Sequence, residues 1–263
     1  MGNHKQLPSS KISTTLEWDD LVLHQDLMEQ INEIKSWIKH EHTLMNDWQL
    51  DSKLKPGYRA LFYGPSGTGK TLTAALLGKE ANREVHRIDL SILSTRYIGE
   101  TEKNLSEIFD IAQQNNWILF FDEADALFGK RTDVRSANDR HANQEVSYLL
   151  QRIENYSGVV ILTSNFSNNI DEAFTRRFQV LMRFRMPSNA ERHRLWTNIF
   201  SGRIQLHPDV NLKAIADRYE VTGGNIINVL RYAAIKAAER SEQIVTNEDL
   251  IKGIRKELVK EKF

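Results

Sequence analysis

The eight residues Gly64-Pro65-Ser66-Gly67-Thr68-Gly69-Lys70-Thr71 fill every fixed position of the pattern G-x-x-x-x-G-K-[ST]. Glycines there let the backbone curl until successive N–H groups converge on one anion, an approach that a Cβ would obstruct. The Lys70 ammonium can reach the outer phosphates as a point charge, and the Thr71 hydroxyl is a hard oxygen donor suited to Mg²⁺. A helix starting at Lys70 would add the positive end of its dipole. With Leu72 at its end, this stretch forms the phosphate-binding set for a nucleoside triphosphate.

A second constellation lies downstream. Ile118-Leu119-Phe120-Phe121 runs into Asp122-Glu123, four apolar residues followed by two carboxylates. Asp122 would hold Mg²⁺ through its water shell, and Glu123 would orient and deprotonate an attacking water. Apolar strands often end in acidic residues, so the pattern gains its meaning from the phosphate loop upstream, and it favours hydrolysis over mere binding. Asn165 ends another apolar run, Val159–Ser164, where a neutral amide can position the water without adding charge. Arg176 and Arg177 follow eleven residues later. Paired arginines are usually solvated, but at this place they read as fingers that reach a γ-phosphate on a neighbouring subunit.

These groups need elements to hold them. Arg59–Tyr63 reads as a strand leading into the loop and Thr71–Leu77 as the helix leaving it. Glu84–Ile88, Trp117–Phe121, Val159–Thr163 and Val180–Phe184 read as further strands. Between them lie helices marked by Leu105, Ile108, Phe109 and Ala112, and by Val146, Leu149, Leu150 and Ile153. Such alternation implies an α/β fold, a parallel sheet with helices on both faces. Earlier, Leu27, Ile31, Ile34 and Ile38 recur at helical spacing; His40 and His42 are two apart, do not share a helix face and read as solvated. Residues 1–14 are polar and aperiodic, a loose tail. After Pro187 only helices are expected: one capped by Ser188 with Glu191, others at Leu212–Tyr219, after Gly223-Gly224, and after Thr246 with Asp249 at its third position. The expected division is thus 1–14 tail, 15–187 nucleotide-binding subdomain and 188–263 helical subdomain.

Composition narrows the class. In 263 residues, Lys+Arg and Asp+Glu are balanced at 35 each, so bulk charge gives no reason to expect nucleic acid or an anionic membrane as partner. Cysteine is absent, which excludes disulfides and thiol chemistry. No apolar run reaches membrane-spanning length and Met1–Ser13 is too polar for a secretory signal, so a cytoplasmic protein is expected.

With these residues in hand, the chain from about Leu16 onward resembles an AAA+ ATPase module of the AAA clade in its strict sense. The resemblance makes Gly64–Thr71 the Walker A motif, Ile118–Glu123 Walker B, Asn165 sensor 1, and Arg176 and Arg177 the arginine fingers. Leu16-Glu-Trp-Asp-Asp-Leu21 is similar to the family's opening segment, which implies that Asp20 and Leu21 lie near adenine. The family's fold is a three-layer αβα P-loop NTPase with a five-stranded parallel sheet ordered 5-1-4-3-2 and a C-terminal helical lid. Tyr97 and Ile98 occupy the place of the first pore loop, where an aromatic–aliphatic pair grips extended polypeptide; packing within their own subunit is what a Tyr alone would suggest, and the context favours the pore. Lys130–Arg140, with Arg131, Arg135 and Arg140, matches the second pore loop by position alone.

The chain also departs from the family. Ser66 replaces a usual proline, the double arginine lacks a Pro-Gly insert, and no arginine opens the helix after Gly224; Arg231 lies two turns inside it. With only a short tail ahead of the module, no substrate-selecting N-domain is expected. Within the clade, Tyr97-Ile-Gly-Glu-Thr-Glu-Lys-Asn-Leu and Phe121–Thr132 look most like small N-domain-free bacterial ATPases encoded beside phage tail-like contractile injection systems. The expectation is a homohexameric Mg²⁺-dependent ATPase that threads, remodels or disassembles a protein substrate. The rival is a nucleotide-gated assembly switch without threading, and a DNA-acting loader is disfavoured by the balanced charge.

Overall fold

The computed structural model describes residues 9–88, 90, 100–127, 137–165, 172–200, 202 and 204–260. In chain order its elements are β1 (Ser9–Ile12), α1 (Gln25–His42), β2 (Tyr58–Tyr63), α2 (Lys70–Ala81), β3 (Val85–Ile88), α3 (Glu100–Asn115), β4 (Ile118–Phe121) and α4 (Ala137–Asn155). There follow β5 (Val159–Ser164), α5 (Glu172–Thr175), β6 (Val180–Arg183), α6 (Asn189–Ile199), β7 (Gln205–Leu206), α7 (Leu212–Arg218), α8 (Gly223–Glu239), β8 (Ile244–Val245) and α9 (Asn247–Lys260). They divide into two compact units. The first comprises residues 1–16, 26–64 and 70–183; the second comprises residues 17–25, 65–69 and 184–263.

The first unit is built on a six-stranded sheet ordered β1-β3-β4-β5-β2-β6, in which β1 alone runs antiparallel. The expected five-stranded sheet is therefore corrected to six. Ser9–Ile12, read as part of a loose tail, pairs with β3 from Ser9 opposite Ile88 to Ile12 opposite Val85, and Lys11 bonds to Glu84. Four residues of mixed polarity carry no pattern that separates an edge strand from coil; the open edge of β3, with its unpaired backbone groups, is what orders them.

The central strands are buried along their whole length, as their unbroken apolar runs require. Alternate side chains Leu61, Leu119, Phe121, Val160 and Leu162 join Leu105, Ile108, Phe109 and Ala112 of α3 and Leu149 and Ile153 of α4 in one core. Residues of opposite parity, among them Phe62, Phe120 and Ile161, are equally buried on the other face. On the α1 side, Leu27, Ile31 and Ile34 are buried, the Trp37 and Tyr58 rings lie 5.6 Å apart and Tyr58 Oη donates to Glu33 at 2.6 Å. His40 and His42 of α1 are exposed.

The second unit packs α6, α7, α8 and α9 around Trp196, Ile215, Val221, Ile226, Val229, Ala233, Leu250 and Ile254. Each helix start is satisfied by a side chain. Ser188 and Glu191 form a reciprocal capping box, Asn211 accepts from Ala214 N–H at 2.9 Å, and Thr222 and Thr246 cap α8 and α9 with Asn225 and Asp249. The expectation of helices alone is corrected here too: β7 and β8 form a two-residue parallel ladder. Strands that short leave no period to read.

Candidate active site

Within the first unit, β2 ends at Tyr63 and the chain turns at Gly64, whose φ of 134° belongs to the region that glycine alone enters freely. Lys70 opens α2 with its side chain buried. Its Nζ donates to Gly64 O at 2.7 Å and to Asn165 Oδ1 at 3.1 Å. The structure therefore brings together the loop lysine and the amide from the end of β5, residues 95 positions apart. Burial pushes the Lys70 ammonium below its ordinary pKa, while the carboxylates of Asp122 and Asp125 act in the opposite direction.

The carboxylate pair stands at the end of β4, one strand from β5 and two from β2. Open parallel sheets bind ligands at these carboxyl ends, where side chains and loops from several strands converge. Thr163 organises the pair: its Oγ1 donates to Asp122 Oδ1 at 2.6 Å and accepts from the Glu123 N–H at 3.1 Å. Glu123 is exposed and takes a left-handed φ of 51°, a conformation costing a non-glycine residue on the order of 1 kcal/mol. That turn stops the strand and separates the two carboxylates, one tied down and one free to meet solvent. Arg87 of β3 bonds the other oxygen of Asp122, and Ser164 donates to Asp125. Thr163, Arg87 and Asp125 were absent from the residues singled out by spacing. Two consecutive hydroxyls, Thr163 and Ser164, closing an otherwise apolar run just before Asn165 are the available signal for Thr163.

Arg176 and Arg177 follow α5 and differ. Arg177 is half-buried and bonded to Glu154 Oε1 at 2.6 Å, whereas Arg176 is exposed and makes no hydrogen bond or ion pair among the described residues. Tyr97 and Ile98 lie outside the described residues, as do Lys130, Arg131 and Arg135; Arg140 falls in the first turns of α4.

In the second unit, Pro65–Gly69 lies against the start of α8. Gly67 O accepts the Gly224 N–H at 3.0 Å, Thr68 Oγ1 donates to Pro65 O at 2.8 Å, and Ser66 is exposed. Gly67 has a φ of 75°, and a Cβ there would fall 2.5 Å from Thr222 Oγ1. Any side chain would thus meet both a strained backbone and an occupied space. Leu21 is buried, its Cδ1 2.9 Å from where a Cβ on Gly69 would stand. Asp20 closes its own short turn by accepting the Glu17 N–H at 2.8 Å.

Residues 60–186 match the family described as "ATPase family associated with various cellular activities (AAA)". A proteasome-activating nucleotidase of Pyrococcus abyssi is 30% identical over 97% of this chain and 68% of its own length. The chain belongs to the AAA family of ATPases. Other AAA relatives are a proteasome-activating nucleotidase of Aeropyrum pernix, 32% identical over 88% of this chain, and 26S proteasome regulatory subunit 10B homolog A of Arabidopsis thaliana, 28% identical over 88%. The chain spans 58% and 59% of the length of those two. AAA membership implies ATP binding. The residues present suit Mg²⁺–ATP: Thr71 and Asp122 are oxygen donors of the kind Mg²⁺ prefers, and Asp122 already holds a cationic partner. Among the described residues, no cluster of three or more His, Asp and Glu could cage a metal unaided. No described helix is long and apolar enough to cross a membrane.

Proposed function

We propose that this chain is a Mg²⁺-dependent ATPase that works as a homohexameric ring and uses hydrolysis to thread, remodel or disassemble a protein substrate. The observation that carries the hydrolytic reading is the convergence of Lys70 on Gly64 O and Asn165 Oδ1 at 2.7 and 3.1 Å, beside a carboxylate pair fixed by Thr163. Lys70 exchanges those two oxygens for phosphate oxygens and neutralises their charge. Thr71 and Asp122 would hold Mg²⁺, which supplies charge neutralisation across the phosphates when bound. Glu123, whose carboxylate is exposed, accepts the proton of the attacking water, and the Asn165 amide orients that water. Leu21 beside Gly69, with Asp20, serves the adenine end. Arg176 is free to reach a neighbouring subunit's phosphate.

Protein remodelling is supported by the family and by relatives named as proteasome-activating nucleotidases and a 26S proteasome regulatory subunit. The narrower likeness to ATPases beside contractile injection systems makes a phage tail-like particle the first substrate to assay. The test of the catalytic assignment compares Lys70→Ala with Glu123→Gln. Lys70→Ala loses nucleotide binding. Glu123→Gln still binds ATP but turns over about 10²–10⁴-fold more slowly. Near-native turnover in Glu123→Gln would remove Glu123 as the base. Protein captured by Glu123→Gln in ATP, identified by mass spectrometry, names the substrate.

A further inference from the structure

Three adjacent strands place Arg87, Asp122 and Thr163 in a row. Ile88, Leu119, Phe121, Val160 and Leu162 belong to one core, so alternation turns Arg87, Asp122 and Thr163 to the opposite sheet face. Arg87 lies opposite Phe120 in the parallel register, two residues before Asp122. Its guanidinium donates to Asp122 Oδ2, while Thr163 Oγ1 donates to Oδ1 at 2.6 Å. Both oxygens of the carboxylate are thereby engaged, one by a neutral hydroxyl and one by a full positive charge. The Arg87 side chain is 45% exposed, so it can swing away into water without leaving a buried charge behind.

A carboxylate so paired cannot serve a second cation at full strength. We propose that Arg87 is a positioning residue that sets magnesium affinity: it holds Asp122 when the metal is absent and competes with Mg²⁺ for that carboxylate when nucleotide is bound. The inference rests on the reading of Asp122 as the metal-side carboxylate. Arg87 thereby neutralises the Asp122 carboxylate when no metal is bound and makes productive metal binding depend on the extra attraction of the phosphates.

The experiment uses a fluorescent ATP analogue on the full chain. The analogue is first bound in EDTA, then Mg²⁺ is titrated into the saturated complex, for the native sequence, Arg87→Gln, Asp122→Asn and the double variant. Arg87→Gln lowers the Mg²⁺ midpoint about two- to fivefold, the size of a half-exposed ion pair. Asp122→Asn raises the midpoint, and in that background the Arg87 substitution has no further effect. Melting curves in EDTA establish that each variant is folded. Equal midpoints for native and Arg87→Gln proteins, or an Arg87 effect that persists with Asn at 122, would overturn the inference alone. A native chain that fails to bind the analogue, or binds it with no response to Mg²⁺, overturns the reading of Asp122 and the inference together.

Discussion

Arg176 and Arg177 are adjacent in sequence and unlike in surroundings. Arg177 bonds Glu154, whose other oxygen takes Lys55 at 3.2 Å and whose backbone carbonyl accepts from Arg59 at 3.1 Å. Withdrawing Arg177 toward another subunit would break the stronger half of that cluster; withdrawing exposed Arg176 would break nothing described. Arg176→Ala is expected to lower kcat by about 10³-fold with an unchanged melting temperature, the signature of a finger. Arg177→Ala is expected to lower the melting temperature by a few degrees, since a partly buried ion pair is worth roughly 1 kcal/mol. ATPase rates and melting curves on both proteins check this. Equal rate losses at unchanged stability would make both arginines fingers.

At the scale of the element, α9 shows how a helix start can set a pH response. Burial opposes ionisation of Asp249, yet bonds from Arg240 and from the Thr246 N–H and Oγ1 prevail and hold its pKa at about 2, below the ordinary 3.8. A depressed carboxylate stabilises the fold fully above its unfolded pKa and loses that contribution as pH falls through the folded one. Asp249 therefore contributes about 2 kcal/mol at neutral pH, lost between roughly pH 4 and pH 2. The stability gap between the native sequence and Asp249→Asn, measured by denaturant unfolding, should be largest above pH 5 and close on acidification. A gap that stays constant to pH 2 would show that packing, not charge, explains the cost of the substitution.

For the whole molecule the question is whether the proposed ring shares its active sites between subunits and whether it threads. Lys70→Ala subunits keep their fingers, and Arg176→Ala subunits keep their phosphate loop. Mixing the two should restore part of the steady-state ATPase through interfaces that contain every part, whereas no recovery in verified co-assemblies would count against action in trans. Tyr97→Ala separates threading from switching. If the ring of Tyr97 grips polypeptide, its loss leaves ATP binding and assembly intact and abolishes remodelling of a captured partner. A stable Tyr97→Ala ring that still remodels would favour the nucleotide-gated switch.

Local chemistry made much of this protein legible in its residues alone. A glycine-rich loop ending in Lys70-Thr71 has few uses, and buried parallel strands must be continuous apolar runs, so β2, β4 and β5 stand out. Capping residues marked the starts of α6 and α9 because orphaned helix N–H groups need a side-chain partner within three positions. What the tertiary structure alone decided depends on neighbours distant in sequence. Ser9–Ile12 becomes a strand only because β3 offers it an open edge, and β7 and β8 exist only as a pair. Pro65–Gly69 and Glu17–Gln25 join the compact unit of the C-terminal helices, which no linear pattern announces. Thr163 and Arg87, from two strands flanking β4, converge on one carboxylate. Spacing along a chain reports what a residue shares with its own helix or strand; which charge meets which across a sheet is settled by strand order.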